Sequence, residues 1–238
     1  MSKPVNIKTE RVDDIPLLFA QLKQMGVQEL LDKYFPPHGN RQGLSMGEVA
    51  VVWLSHILSQ ADHRINHVQN WVENHIESIG QSLGKALVGL DLSDDRLGSV
   101  LKHLSNDKQW KEFEEELSQR QIQVYDLKTE RVRLDSTTAS GYWEENKEGL
   151  LQRGHSKDHR PDLSQVKIML ATLDPLGLPI ASEILSGNRS DDGLYVPAIE
   201  EVRKTIGKRG LLDLLGNKLK KPRKPIWIKA SRILSQKP

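Results

Sequence analysis

From Ile15 to Leu117 the apolar positions recur at helical spacing. In DDIPLLFAQLKQM, Ile15, Leu18, Phe19 and Leu22 share one face, and Val27, Leu30 and Leu31 continue the pattern after Gly26. The PPHGNRQG stretch from Pro36 predicts a loop. Ser45, with Glu48 three positions on, predicts a capping box at the start of a helix whose apolar face carries Val49, Val52, Trp53, Ile57 and Leu58. Val68, Trp71, Val72, Ile76 and Ile79 predict another helix. Ser93 followed by Asp94 and Asp95 opens the next, with acids where they favour the helix dipole and Leu97, Val100, Leu101 and Leu104 facing inward. Asn106 begins a last, acidic helix through Trp110, Phe113 and Leu117.

From Lys128 the period becomes alternating. RVRLDST places Val132 and Leu134 on one face, with Asp135 at the strand's end. VKIMLATLD and IASEIL flank Asp174-Pro175-Leu176-Gly177, whose proline ahead of glycine predicts a hairpin. Tyr195 to Ile206 reads as a helix with Val196, Ile199, Val202 and Ile206 along one side. The order predicts an α+β protein: a helical domain over 7–122, a sheet domain over 128–212 and a basic tail over 213–238.

Composition narrows the chemistry. There is no cysteine, which excludes disulfides and thiolate zinc sites. The start, MSKPVNIKTE, has no apolar core, and no apolar run reaches the roughly 18 residues a membrane helix needs. A cytoplasmic protein without membrane partners is expected. The net charge of +2 conceals an asymmetry: from Gly207 onward ten Lys/Arg face one acid, Asp213, so that segment carries +9 and the rest −7. A segment this basic either attracts nucleic acid or forms a solvated, unstructured terminus.

The histidines come in pairs four apart, His63 with His67 and His155 with His159, and His56 joins the first pair if one helix runs through all three. A tetrahedral zinc site needs further ligands, so the spacing alone does not make one. Trp53 and Trp71 either stack on bases or fill a core, and their helical spacing suits the core.

Three stretches carry a family resemblance: LDSTTASGYW, GHSKDHRPDLSQVKIML and PLGLPIASEILSGNRSDD. From Arg131 to about Leu212 the chain resembles the catalytic-domain entry of insertion-sequence DDE transposases. The helical front, from near Ile7, is similar to the N-terminal domain that accompanies one subgroup of them. The resemblance implies an RNase H-like fold, in which three antiparallel strands precede a crossover helix to a fourth, parallel strand. It also implies DNA cleavage and rejoining by two Mg²⁺ ions held by Asp, Asp and Glu. Hard oxygen ligands suit Mg²⁺, and two ions about 4 Å apart stabilise both the attacking and the leaving oxygen at phosphorus.

On this resemblance Asp135 is the first catalytic, metal-binding carboxylate. The residues alone also fit a turn cap, since aspartate before serine and threonine caps turns. Lys157, His159 and Arg160, on the loop after Asp135, and Arg189, after the hairpin, are the candidate DNA-binding cations. A phosphate backbone needs such donors to neutralise and position it. Equally, Arg160 with Asp158 or Asp162 staples a long loop, and Asn188, Arg189 and Asp191 form a turn.

The resemblance breaks after the crossover helix. The subgroup continues with a short strand ending in Gly-Asp and then a lysine, whereas this chain reads GLLDLLGNKLKKPRKP. Matched without gaps, Gly216 stands in place of the second aspartate, Lys218 matches the lysine, and Asp213 is three positions early. LLDLL lacks the β-branched alternation of a buried strand. IWIKASRILSQKP has no counterpart, and the third acid is expected beyond Pro238. The expectation is a truncated transposase with an incomplete RNase H-like sheet, unable alone to assemble the two-metal centre. Its first strand would be left as an apolar edge open to pairing. Expected partners are DNA at transposon ends and other transposase chains, either as a homo-oligomer or with the full-length protein. The alternatives are a DNA-binding or regulatory fragment that represses transposition, and a relic that folds poorly.

Overall fold

The computed structural model describes residues 9–36, 43–146, 148–155, 159–190 and 193–207. The chain divides into two compact units, Met1–Tyr125 and Asp126–Pro238. Among the described residues it is an α+β protein of eight α-helices and one three-stranded antiparallel sheet.

The first unit holds α1 (Ile15–Gln24), α2 (Val27–Tyr34), α3 (Met46–Gln60), α4 (Val68–Asn74), α5 (Ile76–Leu83), α6 (Asp94–Leu104) and α7 (Asp107–Val124). Helix α3 is the axis of the unit and packs against α1, α2, α4 and α6. Its first turns are buried on all sides, from Met46 through Val52, which is why this helix is nearly continuous in apolar residues rather than striped. Around it close Ile15, Leu30, Phe35, Ile79, Leu92 and Leu97, all fully buried. Each such side chain removed from water stabilises the unit by about 1.5–3 kcal/mol before entropy is counted.

The N-terminus of α3 is held twice. The predicted capping box forms: Ser45 Oγ accepts from the Glu48 amide at 3.1 Å and Glu48 Oε2 accepts from the Ser45 amide at 2.7 Å. From α2, Asp32 Oδ1 accepts from the Gly47 amide at 2.7 Å and Oδ2 from the Ser45 hydroxyl at 2.8 Å. Burial alone would raise the Glu48 carboxyl, yet Lys85 Nζ at 2.6 Å and the Ser45 amide hold it below its usual range. Asn106 caps α7 as predicted, its Oδ1 accepting from the Gln109 amide at 3.1 Å.

One helix departs from its sequence pattern. The single helix expected through Val68 and Ile79 is two, broken at His75 (φ −132°, ψ 29°), whose Nδ1 lies 2.7 Å from the Trp71 carbonyl. The freed start of α5 is capped from far away: Glu10 accepts from the Glu77 and Ser78 amides at 3.0 and 2.7 Å. Helix α3 stops at Gln60, with Ala61 left-handed at φ 50°, so His56, His63 and His67 do not share one helix. Trp53 and Trp71 belong to the core, packed within or against it. The loop predicted from Pro36 falls largely on 37–42, outside the described residues.

The second unit is a meander, β1 (Val132–Gly141), β2 (Ser164–Leu173) and β3 (Leu178–Ser186), followed by α8 (Tyr195–Ile206). The order is β1-β2-β3, so among the described residues β1 and β3 are the edges. The hairpin forms at Asp174–Gly177, where the Gly177 amide donates to the Leu173 carbonyl at 2.8 Å. Residues of β2 alternate: Gln165, Lys167, Met169, Ala171 and Leu173 are buried, the intervening ones half-buried. Helix α8 covers the buried face, with Leu194 and Ala198 against Met169 and with Leu134 and Leu185 beside them. No helix among the described residues is long and apolar enough to cross a membrane.

Candidate functional site at one end of the sheet

Asp135 lies inside β1, not at its end. The strand runs on to Gly141 because Ser136, Thr137 and Thr138 keep pairing with β2, which small β-compatible residues allow. Leu134 packs toward α8, so its neighbour Asp135, paired with Leu170, projects from the opposite face and is exposed. Its Oδ1 accepts from the Ser136 amide at 2.8 Å.

The two motif-bearing loops meet at the far end of the sheet. Gln165, fully buried, donates from Nε2 to the His155 carbonyl at 3.1 Å and to the Gly187 carbonyl at 2.9 Å. Gln152 and Gln165 exchange both backbone bonds at 3.1 Å, and the Gly187 amide donates to the Leu150 carbonyl at 3.0 Å. Lys167, 3% exposed, donates to the Arg189 carbonyl at 2.6 Å. The loops touch backbone to backbone. A Cβ on Gly154 would sit 2.3 Å from the Gly187 oxygen, and one on Gly187 would sit 2.1 Å from the Gln165 oxygen. Only glycine permits such an approach.

This clamp rests on residues that the motifs did not single out, Gln165 and Lys167. Their signal was parity: both occupy inward positions of a strand whose inward face is otherwise Met169, Ala171 and Leu173. Gln165 Oε1 and the Oγ1 of Thr138, cross-strand from Lys167, are buried with no hydrogen-bond partner among the described residues, which leaves this corner polar inside.

His159 and Arg160 are exposed on one loop and Arg189 on the other. His159 is left-handed at φ 57°. Arg160 forms a two-bond pair with Asp162, Nε to Oδ1 at 2.8 Å and Nη2 to Oδ2 at 2.7 Å, and Nη2 also reaches the Tyr142 hydroxyl at 3.4 Å. The Asp162 carboxylate, followed by the Tyr142 hydroxyl, raises the Arg160 pKa further, and the guanidinium lowers that of Asp162. Both groups are at the surface, where such a pair adds little stability. Lys157, Asp158 and Asp191 lie outside the described residues.

The clamp and Asp135 are separate places. Asp135 pairs with Leu170 and Ser140 with Gln165, five residues along the strand, about 17 Å at the usual rise. A pair of Mg²⁺ ions needs several hard oxygen ligands. Asp135 offers one carboxylate, and among the described residues no group of three or more His, Asp or Glu gathers to hold a metal ion. The described residues by themselves therefore do not fit a two-ion centre. Asp213, Gly216 and Lys218 lie outside the described residues.

Residues 7–118, just under half of the chain, match a family model described as a domain of unknown function (DUF4277). The helical unit is thus similar to that family. No curated protein and no solved structure matches the chain.

Proposed function

We propose that this chain is a DDE-type transposase polypeptide that engages the DNA ends of a mobile element. Its second unit, on this reading, is the opening part of an RNase H-like domain. The observation that carries the reading is the chain order of that unit: three antiparallel strands, then a helix on one face, with an accessible aspartate on the first strand's other face. Arg160 and Arg189 stand on loops pinned to one sheet end, where cations fixed in place can position phosphates. Strand cleavage is not assigned to this chain alone, because a centre that acts as a unit fails with one carboxylate.

A DNA-occupying role without cleavage, one that represses transposition by holding the ends or joining active transposase in mixed oligomers, is the second reading. It is favoured by the lack, among the described residues, of any group of three or more His, Asp or Glu that could hold a metal ion. The test uses the full chain with a duplex carrying the element's terminal sequence. Binding that weakens steeply as salt rises, together with no Mg²⁺-dependent nicking, is expected. Absence of DNA binding at low salt would overturn the proposal. Robust nicking abolished by Asp135→Ala would overturn the assignment of a non-cleaving chain.

A further inference from the structure

Six large apolar or aromatic side chains are exposed among the described residues of the second unit: Tyr142, Trp143, Leu150, Leu176, Ile184 and Val196. Half of them fall in the short span 142–150, directly after β1, and two of those are adjacent aromatics. Single exposed apolar residues are ordinary, but two adjacent exposed rings, one of them beside a guanidinium, are not explained by folding.

Their geometry is specific. The Trp143 ring lies on the end of β1: a Cβ on Gly141 would be 3.0 Å from two carbons of the indole. One face of the indole is thereby packed on backbone, and the residue remains 48% exposed. Tyr142 is 89% exposed, touched at its hydroxyl by Arg160, whose guanidinium carbon stands 5.9 Å from the ring centre. An indole braced from behind and, next to it in the chain, a phenol beside a cation give this connection an exposed amphipathic platform.

Charge does not make this platform sticky for duplex DNA. On the connection 142–163, Lys147, Arg153, Lys157 and Arg160 stand against Glu144, Glu145, Glu148, Asp158 and Asp162, four bases to five acids. Asp162 is committed to Arg160, and Glu145 accepts from the Arg153 amide at 3.4 Å. With charge balanced toward the acids, attraction must come from the ring faces.

We propose that Tyr142 and Trp143 form a stacking site for an unpaired base of single-stranded DNA, with Arg160 beside it to meet the adjoining phosphate. The proposal rests on the DNA-engaging reading above and names the form of DNA that this end of the sheet takes. Every base has a π-face, so the site discriminates unpaired from paired DNA rather than one sequence from another.

The test is fluorescence anisotropy of the full chain with three labelled probes: a short oligothymidylate single strand, the same strand with abasic sugars, and a duplex of the terminal sequence. Tyr142→Ala and Trp143→Ala should each weaken single-strand binding by roughly tenfold, in line with the usual worth of one stacked base. The abasic strand should bind the wild type about as weakly as those variants bind the intact strand, and duplex affinity should stay within about twofold. Tyr142→Phe, which keeps the ring, should bind like wild type. Both rings are exposed and α8 packs elsewhere, so unchanged far-UV circular dichroism is the expected control. Equal binding of the intact strand by wild type and both alanine variants would overturn the site while leaving duplex engagement standing. If the wild type binds duplex ends but no single strand, the inference again fails alone. If it binds neither, both the site and the proposed function fall.

Discussion

The Nε2 of Gln165 lies 2.9 Å from the carbonyl oxygen of Gly187, and that bond ties the loop after β3 to the strand that also carries the loop after β1. A second bond from the same nitrogen reaches the His155 carbonyl at 3.1 Å. Gln165→Ala removes both and leaves a buried void. It should lower the unfolding free energy by about 2 kcal/mol in urea titration. It should also speed hydrogen exchange at the Gly187 and Gln152 amides. Unchanged exchange at both would show that the loops are held without Gln165.

Glycine substitutions should split in sign. Gly187→Ala drives a methyl to 2.1 Å from the Gln165 oxygen and 2.4 Å from the Gln152 oxygen, backbone atoms that cannot swing aside. A loss of about 2–3 kcal/mol is expected. Gly98, inside α6, has no described atom beyond its own helix backbone within 4 Å of where its Cβ would stand. Gly98→Ala should stabilise the helical unit by about 0.5–1 kcal/mol through helix propensity. Thermal melts of the two variants moving in the same direction would count against this account.

His56 should make the helical unit sensitive to acid. Burial pushes its pKa below the ordinary value near 6.5, and its Nδ1 has no hydrogen-bond partner among the described residues; Asp62 opposes the shift and His67 adds to it. From α4, Trp71 meets it edge-on, ring centres 5.3 Å apart. The folded state therefore prefers the neutral ring. Above about 6.5 folded and unfolded rings are both neutral and pH has no effect through this group. As pH falls below that value the unfolded ring takes its proton first and stability is lost, down to the folded pKa. Urea midpoints measured at falling pH should drop less for His56→Gln than for wild type. Parallel curves would exclude His56 as the source.

Asp32 should matter beyond its own helix. It accepts from the Gly47 amide and the Ser45 hydroxyl at the start of α3. Asp32→Ala strands both and should destabilise the helical unit by about 1–2 kcal/mol, with Asp32→Asn intermediate. The readout is the far-UV melting midpoint, and an alanine variant melting with wild type would contradict the cap.

What the sequence revealed followed from how local each determinant is. The Ser45–Glu48 box, the Asn106 cap, the hairpin at Asp174–Gly177 and α8 are all decided within a few residues, and all stand where the pattern put them. The break at His75 is not local, because it is supported by Glu10, whose bonds span 67 and 68 residues. The apolar residues stop at Asp135, which reads as a strand end, yet pairing with β2 carries β1 six residues further. At the sheet end the motif loops were visible as sequence. Their clamp was not, since Gln165 and Gly187 are joined only once β2 and β3 have paired.

The carboxylate of Glu10 sits five positions ahead of the first helix, yet it caps the start of another one in the middle of the unit. Where this unit begins, in the sense of what must be present for it to fold, is therefore earlier than its first turn of helix. A proteolytic nick just after Glu10 would leave every helix of the unit intact in sequence and still uncap α5 beside the His75 break. Glu10, outside every helix, has the role of a keystone.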